Sequence, residues 1–160
     1  MRVLITGGVK SGKSRRALQL AADFAPDRWF LATATAFDDE MRERIARHRA
    51  ERAGSFITVE EPVAIDTVLH ERMVLDCIPM WLNNLFFEHR EADWEPILDR
   101  VIASMPRDII IVTNETGMGV IPADPLSRRY GMALAMANAR LAAAMDSVEL
   151  MVAGLPLRVK

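Results

Sequence analysis

One octapeptide limits the folds open to this 160-residue chain more than any other feature. The apolar run Val3, Leu4, Ile5 leads straight into Gly7-Gly8-Val9-Lys10-Ser11-Gly12-Lys13-Ser14, and helical spacing follows from Ser14 to Ala25, ahead of Pro26. A G-x-x-x-x-G-K-S stretch that joins a strand to a helix is a phosphate cradle, the P-loop. Its glycines let the backbone curl until several N–H groups point inward. The start of the helix adds partial positive charge at the same place. Within such a loop Lys13 reaches the β- and γ-phosphates and the Ser14 hydroxyl ligates Mg²⁺. The motif points to a nucleoside triphosphate and leaves the base and the reaction open.

The remaining pattern supports the same architecture. Apolar β-type runs at 28–34, 55–60, 72–78 and 107–114 alternate with helical patterns at 38–52, 64–71, 80–90, 94–105 and 126–145. Alternation of this kind predicts an α/β fold with a mostly parallel sheet. Two further runs, 147–154 and 155–160, are joined so tightly that they must pair antiparallel. The expected fold is therefore a P-loop NTPase of RecA-like type: a mostly parallel sheet flanked by helices, with a C-terminal antiparallel strand. No linker, repeat or low-complexity segment divides the chain, which reads as one nucleotide-binding and transferase domain over 1–160.

Composition narrows the partners. The net charge is −2 with no basic arm, which gives nucleic-acid binding little electrostatic support. Cys77 is the only cysteine, so no intrachain disulfide forms. No apolar run is long enough to span a membrane, and the N-terminus lacks the features of a signal peptide. A cytoplasmic protein is expected.

Open α/β sheets bind ligands beyond the carboxyl ends of their strands. Thr33, Ala34, Glu60, Asp76, Asn114 and Glu115 fall at such ends. Asp76 closes the run Met73-Val74-Leu75 and takes the Walker-B position, where an acid supports the metal shell beside Ser14; capping the following helix is its plainer role. Glu60 is a carboxylate suited to the N–H donors of guanine. Asp38, with Asp39 and Glu40 after it, caps the helix to Arg52. On that helix Met41, Ile45 and His48 share a face. Five arginines (42, 44, 47, 49, 52) meet five acids (38, 39, 40, 43, 51), so the segment is not a basic patch. His48 either ends an apolar stripe or is a nucleophile for phosphorus, with arginines holding the charge that develops there. His70 and His89 lie in polar stretches and read as surface residues.

Taken together, TGGVKSGKS, LATATAFDDEMRERIARHRAER, EEP, LDCIPMWLNNL, VTNETGMGVIP and NARLAAAMDSVELMVAGLPLRVK make the chain resemble, nearly end to end, the bifunctional adenosylcobinamide kinase/adenosylcobinamide-phosphate guanylyltransferase family. The resemblance implies phosphorylation of the aminopropanol hydroxyl of adenosylcobinamide by ATP or GTP. Transfer of GMP from GTP follows, through a covalent histidine, with release of pyrophosphate. It assigns that role to His48, three residues beyond Ile45, places Arg49 and Arg52 toward the triphosphate, Glu60 by the GTP, and Asp76 at the metal. It also implies a homotrimer and a helix 38–52 that shifts between steps. The chain departs from the family's usual residues at Pro79, Gly131, Met132, Ala135 and Ala139, while Asn138 is kept. A monofunctional kinase with a structural His48, and a RecA-like binding module, are the alternatives.

Overall fold

The computed structural model describes residues 1–52, 54–116, 118–119 and 121–160, the side chains of Arg44 and Glu51 excepted. Its strands are β1 (Arg2–Gly7), β2 (Trp29–Ala32), β3 (Ile57–Glu60), β4 (Met73–Asp76), β5 (Ile109–Val112), β6 (Ser147–Val152) and β7 (Leu155–Arg158). They form one sheet in the order β3-β2-β4-β5-β1-β6-β7. Every pairing is parallel except β6 with β7. The helices are α1 (Lys13–Leu20), α2 (Asp39–Arg52), α3 (Ile78–Phe87), α4 (Trp94–Ala103) and α5 (Pro125–Ala144).

Strand alternation explains the two cores. Successive side chains on a strand point to opposite faces, so Val3, Ile5, Val74, Ile110 and Val112 pack toward α1. Their neighbours Leu4, Met73, Leu75, Ile109 and Ile111 pack toward α3, α4 and α5. Both faces of β4 and β5 are thus buried, as continuous apolar strands require in a parallel sheet.

Several elements differ in extent from the sequence expectation. The helix after the cradle ends at Leu20 and passes into a 3₁₀ turn, Ala21–Asp23. The helix expected over 64–71 is a single 3₁₀ turn, Ile65–Thr67. β4 stops at Asp76, and α3 begins at Ile78 with Pro79 in its first turn, where a fixed φ and a missing N–H cost nothing. His70 is not on a helix; it is half-buried and its ring stacks on Trp29 at 3.8 Å between centroids. His89 is exposed, as expected. Ala153 and Gly154, both at positive φ, close the β6–β7 hairpin, the condition for a type I′ turn. No helix among the described residues is long and apolar enough to cross a membrane.

One ion pair fixes α1 against the sheet. Arg16 Nε and the Arg16 terminal nitrogen donate to the two Glu149 carboxylate oxygens, each at 2.8 Å. That pairing holds the Glu149 carboxyl below its ordinary value, against the opposing effect of burial. A carboxyl lowered on folding contributes stability above its unfolded value and loses it as pH falls through the folded one. Glu149→Gln is therefore expected to cost about 1 kcal/mol near neutral pH, with the gap closing in acid. Urea unfolding at neutral and acidic pH checks this; an equal gap at both would remove the pair as the cause.

Candidate active site

The cradle is built by backbone conformations that few residues adopt. Gly7 is buried at φ 143°, and a Cβ there would lie 2.6 Å from the Met151 carbonyl oxygen and 2.9 Å from Ser11 Oγ. Gly12, at φ 94°, precedes α1 and offers no capping side chain, which leaves first-turn N–H groups for an anion. Gly8, Val9 and Lys10 form the exposed crest. Lys13 is buried, and its Nζ donates to the Gly8 carbonyl at 2.5 Å. Ser11 Oγ is buried with no hydrogen-bond partner among the described residues. A loop with a buried cation curled inward and an unsatisfied hydroxyl suits an anionic ligand.

Asp76 lies at the end of β4, separated from the cradle strand β1 by β5 alone. The carboxyl-end residues of these three strands therefore share one short stretch of the sheet's edge. Burial pushes the Asp76 carboxyl above its ordinary value. A hydrogen bond from the Ser14 hydroxyl and the charges of His48, Arg52 and Lys13 act against that push. Ser14 and Asp76 thus meet, and His48 and Arg52 of α2 come close enough to act on the same carboxyl. Two hard oxygens suit Mg²⁺, which takes its remaining ligands from water and phosphate, so the donor set fits that ion.

The turn after Asp76 is held by Thr33. The Thr33 hydroxyl donates to the Cys77 carbonyl at 2.7 Å and accepts from the Cys77 N–H at 2.9 Å; the Asp76–Cys77 peptide is cis. Thr33 is fully buried, so a residue expected among the nucleotide contacts has its hydroxyl committed to positioning the chain beyond Asp76. Ala34, the next residue, is half-buried. Asn84, which sequence reasoning passed over, is buried and donates to the Thr33 and Pro62 carbonyls at 2.7 and 2.9 Å. Its only sequence signal was an amide inside the apolar run Trp81–Phe87.

Helix α2 starts as expected, with the Asp38 carboxylate accepting from the Met41 N–H at 2.7 Å. Met41, Ile45 and His48 are half-buried on one face, and Arg52 continues that face into the core. The Arg52 guanidinium lies 3.8 Å from the centroid of the Phe30 ring, a cation–π geometry. Arg49 reaches across to form an ion pair with Glu60 at the end of β3, and both side chains remain more than half exposed. These two were expected to contact the nucleotide separately; the structure pairs them with each other.

The loop leaving β5 joins the same edge. The Glu115 N–H donates to the Gly7 carbonyl at 3.2 Å. Asn138 of α5 accepts from the Thr113 hydroxyl at 2.7 Å and donates to the Asn114 carbonyl at 2.9 Å. The retained amide of the long helix therefore supports the site from within. By contrast, Met132, Ala135 and Ala139 face outward.

Sheet order, cradle and the Ser14–Asp76 contact define a P-loop nucleoside-triphosphate-binding protein, with one strand between the loop strand and the acidic strand. The family model described as cobinamide kinase / cobinamide phosphate guanyltransferase matches residues 3–159, and the chain belongs to that family. It is similar along its whole length to the bifunctional adenosylcobalamin biosynthesis protein CobP of Pseudomonas aeruginosa, at 39% identity covering 100% of this chain and 98% of the relative. The bifunctional adenosylcobalamin biosynthesis proteins CobU of Salmonella typhimurium and Escherichia coli are 34% and 32% identical, with 100% of each chain covered. The activity is accordingly that of a kinase and guanylyltransferase of cobalamin biosynthesis, using nucleoside triphosphates.

Proposed function

We propose that a single cradle serves both half-reactions and that the guanylyl group passes through His48. The observation that carries this reading is the surroundings of Asp76, where Ser14 and Lys13 of the cradle and His48 and Arg52 of α2 act on one carboxyl. In the kinase step, the aminopropanol hydroxyl oxygen of adenosylcobinamide attacks the γ-phosphorus of ATP or GTP. The bond to the bridging oxygen breaks, the nucleoside diphosphate leaves with the electron pair, and the hydroxyl proton passes to water. Lys13 and the loop N–H groups hold the charge that collects on the phosphates.

In the transfer step, a His48 ring nitrogen attacks the α-phosphorus of GTP. The α–β bridging bond breaks and pyrophosphate leaves. A phosphate oxygen of adenosylcobinamide phosphate then attacks the same phosphorus, the P–N bond breaks, and adenosylcobinamide-GDP is released. Splitting one substitution into two is the gain from a covalent nucleophile. Mg²⁺, held at Ser14 and Asp76, would neutralise phosphate charge in both steps. Arg52, seated on Phe30, is positioned toward the triphosphate. The adduct is the direct test: incubation with GTP and Mg²⁺ adds one GMP to the intact mass, and a well-folded chain that binds GTP without that gain overturns the reading.

Glu60 is the guanine reader in this account. Binding GTP exchanges its pairing with Arg49 for the donors on the base, freeing the guanidinium for phosphate. Glu60→Gln is expected to raise KM for GTP about tenfold while leaving KM for ATP in the kinase step within twofold. Parallel rises for both nucleotides would remove Glu60 from base recognition.

We further propose a homotrimer. The outward stripe of α5 exposes Met132 and Met136, and β7 exposes Leu155 and Leu157. Lys160 Nζ, just past β7, holds the chain end to the C-terminal end of α5 by donating to the Ala142, Ala143 and Met145 carbonyls. The departures at Met132, Ala135 and Ala139 make this face apolar, which suits burial between subunits.

A further inference from the structure

We propose that the groove between α3 and the start of α5 is the docking site for the corrin ring of the acceptor. The inference rests on the reading that the cradle holds the triphosphate. The groove encloses about 240 Å³ and is lined by Asn83, Phe86, Phe87, Leu126, Ser127 and Tyr130. None of these carries a charge. The cavity beside α4, similar in volume, is walled instead by Arg90 and Arg100, each ion-paired, with Asp93 and Asp66 respectively.

Each wall of the groove leads back to the candidate site. Helix α3 begins directly after Asp76 and Cys77, and Asn84 anchors it to the Thr33 and Pro62 carbonyls, which follow β2 and β3. The N-terminal turn of α5 follows the loop that leaves β5, whose Glu115 N–H bonds to Gly7. The Tyr130 hydroxyl donates to the Pro79 carbonyl at 3.0 Å, closing the two helices over the chain just past Asp76. Phe37, on the loop between Thr33 and the helix of His48, packs against Phe87 with centroids 5.2 Å apart. The groove therefore belongs to the same carboxyl edge as the cradle.

Its chemistry matches an acceptor of this class. Phe86 is buried and meets Tyr130 edge-to-face at 5.6 Å, forming a rigid floor. Phe87, 71% exposed, presents much of its ring to solvent beside Phe37, and Leu126 is also exposed. The methyl-bearing rim of a corrin gains by packing against such rings, while the Asn83 amide and Ser127 hydroxyl can hydrogen-bond its peripheral amides. The space is too small to enclose a corrinoid and is suited to grip one edge of it, leaving the aminopropanol arm to reach the γ-phosphate.

The test is direct equilibrium dialysis of cobinamide, followed by its visible absorbance, against wild type, Phe87→Ala/Leu126→Ser and Phe87→Trp. The double variant is expected to weaken cobinamide binding at least tenfold, and Phe87→Trp to retain it. KM for GTP and the one-GMP mass gain should be unchanged in both. Equal cobinamide binding by wild type and the double variant overturns the inference, as does a wild type that binds none. A change in sedimentation of the double variant also overturns it, because the groove would then be a contact between copies of the chain. Failure of the GMP adduct in wild type bears on the transfer reading alone.

Discussion

His48→Ala is expected to abolish the GMP adduct and to lower guanylyl transfer by about 10⁴-fold or more, while phosphorylation of adenosylcobinamide stays within a few-fold of wild type. Loss of a nucleophile removes the intermediate itself, so the effect is of the size seen when a covalent catalyst is deleted. The kinase step is spared because the hydroxyl attacks the γ-phosphorus directly and the cradle that holds it lies on β1 and α1. His48 is half-buried on α2, outside both core clusters, so its truncation leaves the sheet intact. Intact mass after GTP and Mg²⁺, kept near neutral pH because phosphoramidates hydrolyse in acid, is the readout. Persistence of the adduct in the variant would move the nucleophile elsewhere. Transfer surviving within tenfold would mean direct displacement without an intermediate.

Lys13→Met is expected to remove both half-reactions together, each by roughly 10² to 10⁴-fold in kcat. The parallel loss follows from one cradle serving two chemistries, with a single ammonium neutralising whichever phosphate leaves. Lys13 also lies among the charges that oppose the rise of the Asp76 carboxyl. Its removal takes away one of the positive charges beside that carboxyl. The flexible thioether fills much of the same space, so the fold should hold, with thermal melting within a few degrees of wild type. A variant that lost guanylyl transfer but kept kinase activity within tenfold would require a second phosphate site.

The sequence disclosed features that depend on neighbours along the chain. A strand, a glycine loop and a helix in immediate succession define the cradle, because backbone curvature and the helix N-terminus are local. The Asp38 cap and the hairpin at Ala153–Gly154 were legible for the same reason.

Contacts between distant segments were not legible in this way. Periodicity put His48 on the face of Met41 and Ile45, yet its approach to Asp76 depends on β2, β4, β5 and β1 lying side by side in that order. Thr33 read as a ligand contact at a strand end; only the turn it faces shows its hydroxyl spent on Cys77. Arg49 and Glu60 each read as nucleotide contacts, and only the fold shows that α2 carries Arg49 alongside the end of β3, where the two form an ion pair. The same is true of Asn84 and of the aromatic groove, whose two walls are helices that follow separate strands. Local backbone preference is written in neighbouring residues and determined the elements of this protein. Strand order and helix tilt follow from packing the whole chain at once, and they alone decided which side chains share the edge where phosphate would bind.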